Sequence, residues 1–318
     1  MISFEKVCKI FESDVEAISD LSLKVEEGEV LVLLGRSGSG KTTALRLINR
    51  LIEPTSGKIL IEGKDISTLD PIDLRRNIGY AIQHIGLFPH MTVAENIAIV
   101  PRLLNWNDVQ VQRRVDALLE MVRLPPSEYR DRFPSQLSGG QRQRVGVARA
   151  LAGDPSIILM DEPFGALDPL TREIVQGEFI ELQGELKKTI VFVTHDIMEA
   201  VKLGDRIALL EAGKLVELCS PSQLVEKQES ELVDQFLGNQ RFQLSLVTRN
   251  LKSLLHKVKK QEGACSREGA HLLMRYSLTE ALNVFKSSRK ETLPLFEGKN
   301  YMGHIDKKQL FDVLLEIV

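Results

Sequence analysis

The chain has 318 residues, of which 43% are hydrophobic and 27% charged, the make-up of an ordinary globular protein with a proper core and room for one large domain or two. A net charge of -3 argues against general nucleic-acid binding, which favours a basic surface. No apolar run reaches the ~20 residues that cross a bilayer, and Met1–Phe11 carries charges without a signal-peptide pattern.

The first apolar run is Val30–Leu34, followed by Gly35-Arg36-Ser37-Gly38-Ser39-Gly40-Lys41-Thr42 and a helical pattern over Thr43–Leu51. The segment fits GxxxxGK[ST] between a strand and a helix, the context a phosphate-binding loop requires. Its glycines let successive N–H groups face a phosphate chain, and the helix N-terminus adds positive potential. Lys41 suits the β- and γ-phosphate oxygens, and Thr42 suits Mg²⁺. Kinases, GTPases and many motors share such a loop, so the loop alone does not name a function.

From about Thr92 to Leu151 the α/β alternation stops. Val111, Val115, Leu118, Leu119 and Val122 recur at helical spacing, and Pro125, Pro126 and Pro134 punctuate the segment after them. This stretch reads as a helical insertion. Further apolar runs, Ile157–Met160, Ile190–Val193 and Ile207–Leu210, read as buried parallel strands. The runs at 30, 157 and 190 end in Gly35, Asp161, and Thr194 with His195. In an open parallel sheet, ligands sit beyond the carboxyl ends of the strands, so these ends should converge on one site.

After Gly238 the composition shifts. Leu244–Lys260 reads as a basic amphipathic helix, Gln261–Gly269 as a linker, and His271–Val318 as a small α/β unit. The scattered Cys8, Cys219 and Cys265 contain no CxxC pair and read as reduced thiols of a cytosolic protein.

Leu137-Ser138-Gly139-Gly140-Gln141 resembles the signature of ATP-binding cassette (ABC) ATPases, and the rest of that family's pattern is present in order. Ile157–Glu162 resembles the Walker B strand, Ala166-Leu167-Asp168 the D-loop, Thr194-His195-Asp196 the switch-histidine region, and Gln83 the Q-loop glutamine. The resemblance covers roughly Met1–Gly238. It implies an α/β fold, a P-loop NTPase (RecA-like) core with the ABC helical subdomain at about 88–151, and ATP hydrolysis with Mg²⁺. It assigns nucleotide contacts to Phe11, Gly35, Arg36, Ser37, Gly38, Ser39, Gly40, Lys41, Thr42, Thr43, Ser138, Gly139, Gly140, Gln141 and Asp168. Mg²⁺ falls to Thr42, Gln83 and Asp161, and catalysis to Glu162, His195 and Gln83. A carboxylate at Asp161 can hold Mg²⁺, and Glu162 can polarise the attacking water. Phe11 reads either as an adenine platform or as a core residue.

In this family two cassettes dimerise head to tail, and the signature of one contacts ATP held by the other. One loop and one signature per chain therefore imply a homodimer, or pairing with a related chain. Tyr80–Pro101, Leu45–Gly57 and Tyr129–Gln136 (YRDRFPSQ) resemble importer ATPases for glycine betaine, choline and carnitine. That resemblance implies a membrane permease subunit docked near Leu87–Pro89 and a periplasmic or extracellular substrate-binding protein or domain. It implies a peripheral location on the cytoplasmic face of the cell membrane and no nucleic-acid partner. A betaine-like solute is expected, with other small amines open, ergothioneine included; a soluble non-transport cassette ATPase is the competing class.

Residues 239–270 are expected as a helical linker and 271–318 as a module resembling one cystathionine-β-synthase-type (CBS) repeat, carried by SLTEALNVF and TLPLFEGKNYMGHIDKKQL. Where that repeat usually has Thr and Asp after its glycine-containing strand, this chain has Asp306 and Gln309. Packing or dimerisation is therefore the expected role of the tail, ahead of nucleotide binding.

Overall fold

A computed structural model describes residues 1–12, 14–81, 86–165, 167–186, 188–226, 231–249, 251, 269–274, 276–297 and 300–315. The chain divides into two compact units, Met1–Asp196 with Leu203–Cys219, and Ile197–Lys202 with Ser220–Val318. The division expected after Gly238 falls inside the second unit, at the 3₁₀ turn Gly238–Gln240.

The first unit is built on a six-stranded sheet. Its spatial order is Lys214–Cys219, Arg206–Glu211, Val30–Leu34, Thr189–Thr194, Ile157–Asp161 and Ile78–Ala81. All neighbours pair in parallel except the first two. Val30–Leu34, Ile157–Asp161 and Thr189–Thr194 are buried at every position, as strands covered on both faces must be. Register sets Leu34 beside Thr194 and Asp161 beside Val193, so the chemically equipped strand ends are level.

A second sheet is antiparallel, in the order Glu16–Val25, Ile2–Ile10, Ser56–Ile61, Lys64–Asp65. Ile2 pairs with Val25 and Ile61, and Phe4 with Leu23 and Ile59. These apolar residues fill one face and pack with Leu31, Leu33, Leu159, Val191 and Val193 of the large sheet. Ala44, Leu45, Leu47 and Ile48 of the helix Lys41–Ile48 complete this core.

The insertion is helical, as its periodicity predicts. Val93–Leu103, Asp108–Met121 and Gly139–Leu151 each begin with a reciprocal capping box, Thr92 with Glu95, Asn107 with Gln110, and Ser138 with Gln141. Val111, Val115, Leu118, Leu119 and Val122 are all buried.

In the second unit, Leu272–Leu273 pairs in parallel with Thr292–Glu297, which pairs antiparallel with Asn300–Asp306. With the helices Leu278–Ser288 and Lys307–Leu315, the element order is β-α-β-β-α. Leu272, Leu278, Phe285, Leu293 and Ile305 form its core. Of the helix expected over Leu244–Lys260, the described residues show Arg241–Thr248, an extended Arg249 at ψ 117°, and Leu251 helical again. Leu251, expected in the linker, donates its N–H to the Tyr276 carbonyl and joins this core. Residues 252–268, which include most of the expected helix and linker, lie outside the described residues.

Candidate active site

The loop after Val30–Leu34 is sterically constrained. Gly40, immediately before the helix, has φ +98°, and a Cβ there would stand 2.5 Å from the Ala17 carbonyl oxygen. A Cβ on Gly35 would come within 2.3 Å of the Leu210 carbonyl oxygen. Only glycine fits either position. The helix Lys41–Ile48 has no side-chain cap, so its first N–H groups are available to an anion.

Lys41 is only 5% exposed. Its Nζ donates to the carbonyl oxygens of Gly35 at 2.7 Å and Arg36 at 2.8 Å, and approaches Ser39 Oγ at 3.4 Å. Burial pushes its pKa down, against the pull of Glu162 and Asp161. Such an ammonium is poised for a stronger anionic partner.

Thr42 Oγ1 donates to Asp161 Oδ1 at 3.0 Å, joining the first turn of that helix to the end of the neighbouring strand. Burial raises the Asp161 pKa; the Thr42 hydrogen bond opposes the rise and the nearby Glu162 charge adds to it. Its negative charge is thus incompletely compensated within the chain. A hydroxyl and a poorly compensated carboxylate beside a phosphate loop are the oxygen donors a hard divalent cation takes. Among the described residues no cluster of three or more His, Cys, Asp or Glu side chains gathers as a resident metal site.

Glu162 leaves the strand at φ +43°, a left-handed conformation costing a non-glycine residue about 1–2 kcal/mol. Its N–H donates to the Val193 carbonyl at 3.0 Å. The carboxylate Oε1 faces His195 Nδ1 at 3.0 Å. Thr194 Oγ1 accepts the Asp196 N–H at 3.0 Å, which shapes the turn that presents His195.

Phe11, Ser37, Gly38, Gly40, Lys41, Thr42, Thr43, Glu162 and His195 line one cleft of 530 Å³, a volume typical of small-molecule sites. Gly35, Arg36 and Ser39 stand behind Lys41 as its partners. Phe11 is 39% exposed, with Lys9 Nζ 5.2 Å from its ring centroid, so the core reading of Phe11 does not hold. Val15, Glu16 and Ala17 complete the wall. They carry no motif, and only the fold of the antiparallel sheet brings them there.

Ser138, Gly139, Gly140 and Gln141 do not line this cleft. Ser138 caps its helix: its Oγ accepts the Gln141 N–H, and Gln141 Oε1 accepts the Ser138 N–H at 2.8 Å. Gln141 Nε2 donates to the Tyr129 hydroxyl at 3.0 Å. A Cβ on Gly140 would meet Thr171 at 2.8 Å, whereas Gly139 has nothing within 4 Å. Asp168 Oδ1 accepts the Thr171 N–H at 3.1 Å, and that hydrogen bonding holds its carboxyl below the usual range. Gln83 lies outside the described residues.

Asn96 is a residue the motifs did not single out. It is fully buried. Its Oδ1 accepts the Phe88 N–H at 2.8 Å, and its Nδ2 donates to the carbonyls of Phe88, Met91 and Thr92 at 2.9–3.2 Å. It fixes the segment that leaves Phe88 44% exposed.

A family model described as ABC transporter matches residues 18–165. The chain is 44% identical over 307 residues to the choline transport ATP-binding protein OpuBA of Bacillus subtilis, covering 96% of this chain and 78% of that protein. It is 43% identical over 311 residues to the glycine betaine/carnitine/choline transport ATP-binding protein OpuCA of the same organism, covering 98% of this chain and 79% of that one. Among solved structures, it resembles the dimeric post-hydrolysis state of the ATP-binding cassette MJ0796 bound to ADP and Pi. The TM-score is 0.62 at 36% identity, over 69% of this chain and 98% of that chain.

Proposed function

We propose that this chain, which belongs to the ATP-binding subunits of ABC transporters, hydrolyses ATP as one half of a head-to-tail pair and so drives uptake of a betaine-like quaternary amine. The observation that carries the reading is the division of the motifs. The phosphate loop, Glu162 and His195 share one cleft, while Ser138–Gln141 stands outside it on its own helix N-terminus. A second copy, or a related chain, supplies the missing signature.

Within the cleft, loop N–H groups and Lys41 bind the β- and γ-phosphates, and Phe11 stacks on the adenine. Thr42 and Asp161 would hold Mg²⁺, with Gln83 as the remaining ligand. The ion would supply charge neutralisation on the phosphate oxygens. Glu162 orients the attacking water and accepts its proton. His195 donates Nδ1–H to Glu162 in the tautomer that satisfies the carboxylate, which holds that carboxylate on the γ-phosphate side of the cleft.

Among the described residues no helix is long and apolar enough to cross a membrane; the relatives are named as ATP-binding proteins of transport systems, and a separate permease would carry the solute. The segment Leu87–Pro89, clamped by Asn96, is the proposed contact for that permease on the cytoplasmic face of the membrane. A substrate-binding protein or domain would deliver the solute from the other side. The solute class rests on the transport systems for which the relatives are named, because the solute itself does not touch this chain. The β-α-β-β-α tail supports a packing or pairing role in which it meets its copy across the dimer.

The test is Glu162→Gln in the full chain. ATP should bind with near-normal affinity while turnover falls by at least about a hundredfold. Turnover close to the natural rate would remove Glu162 from the catalytic role.

A further inference from the structure

The helix Pro169–Leu186 carries Phe179 and Glu178 in succession, and each reaches a different part of the nucleotide machinery. Phe179 packs edge-to-face on Phe164, two residues beyond Glu162, with ring centroids 6.2 Å apart. It also meets Phe192 at 6.3 Å, and Phe164 meets Phe192 at 5.7 Å. All three rings are buried. The seat of Glu162 is thus fastened to this helix by a closed aromatic cluster.

Glu178 reaches the helical insertion. Its Oε2 lies 3.6 Å from Arg144 Nε and its Oε1 3.5 Å from Arg123 Nε. Arg144 belongs to the helix Gly139–Leu151, which begins with the signature. The side chains of Glu178 and Arg144 are only 13% and 18% exposed, so solvent screens this pair far less than a surface pair. Among the described residues Arg144 Nε is buried without a hydrogen-bond partner, and Glu178 is the acidic group paired with it. Removing Glu178 leaves the buried Arg144 guanidinium without this compensation.

We infer that Glu178 is a positioning residue that holds the signature helix in register with the Glu162 seat when two chains close over ATP. The inference rests on the shared-site reading above. The carboxylate touches no reacting atom and acts through Arg144. Its contribution therefore belongs to closure of the pair and not to nucleotide capture by a single chain.

The experiment uses the full chain carrying Glu162→Gln, with two readouts. One is ATP affinity of the dilute monomer, and the other is ATP-driven dimerisation by sedimentation. Adding Glu178→Gln, which removes the charge at nearly constant shape, is expected to weaken dimerisation by about tenfold and to leave monomer affinity unchanged. Glu178→Asp, which keeps the charge on a shorter arm, should recover most of the loss. Val175→Ala trims the same helix and leaves both charges in place, so it should lower Tm and spare dimerisation. If Glu178→Gln does not fold, Arg144→Gln carries the same expectation. Dimerisation equal to that of the parent, or monomer affinity falling in step with it, overturns the inference. If the Glu162→Gln parent itself fails to dimerise with ATP, the shared-site reading fails first and this inference falls with it.

Discussion

Asp161 and Thr42 meet at 3.0 Å across the boundary between a strand end and a helix start, and the carboxylate is buried there with its pKa raised. A raised carboxyl pKa means that the folded state disfavours the charged form. The contribution to stability is present below the ordinary aspartate value of 3.8 and is lost as pH rises through the folded value. Asp161→Asn should therefore raise the Tm of the nucleotide-free chain by a few degrees near neutral pH. That gain should shrink as pH falls toward the ordinary aspartate value. The same variant should lose the tightening of ATP binding by Mg²⁺. Thermal melts across pH, with and without Mg²⁺-ATP, check both halves.

Two loop glycines should respond differently to the same change. Gly40→Ala adds a Cβ 2.5 Å from the Ala17 oxygen at φ +98°, and should cost about 3 kcal/mol or more and abolish ATP binding. Gly38 has φ +82° but open space around it. Gly38→Ala should cost only about 1 kcal/mol, the backbone penalty alone. Denaturant melts separate the two.

Phe11 is exposed on the cleft wall, so its loss should be felt by the ligand and not by the fold. Phe11→Ala should weaken ATP and ADP binding by about tenfold, the scale of one base–aromatic stack, with little change in Tm. Phe11→Tyr should bind almost normally. Titration with a fluorescent nucleotide decides this, and equal affinity for all three chains would remove Phe11 from the site.

Asn96 should matter to coupling more than to chemistry. Asn96→Leu strands buried amide and carbonyl groups of residues 88–92 and should cost about 3 kcal/mol. ATP affinity of the isolated chain should survive. Stimulation of hydrolysis by the reconstituted permease should be lost, as measured in proteoliposomes.

The parts of this site written in consecutive residues were legible in the sequence. The phosphate loop and the signature each lie on one turn between elements, so spacing alone places their N–H groups. The buried strands were legible as unbroken apolar runs, and their level ends brought Asp161 and His195 to the loop as expected. The reverse turn at Glu162 was not legible, because the residue type gives no sign of φ +43°. Val15–Ala17 were missed because only the pairing of Ile2–Ile10 with Glu16–Val25 folds them over the loop. Glu178 and Arg144 lie far apart in sequence, and each alone looks like a solvated charge. The extended backbone at Arg249 was not legible within the helix expected over Leu244–Lys260, and neither was the place of Leu251 in the core of the C-terminal unit.

The central claim, that each chain holds half of a shared site, is tested most directly by mixing two disabled chains. Lys41→Ala removes the phosphate ligand. Gly139→Asp adds a side chain where a Cβ meets none of the described residues within 4 Å, so it should fold normally and repel a partner's nucleotide. Each variant alone should hydrolyse ATP at background rate. The mixture should regain activity, because a mixed pair contains one intact loop facing one intact signature. A mixture no more active than the two variants measured separately, with mixed pairs confirmed by differential tagging, would contradict the shared site.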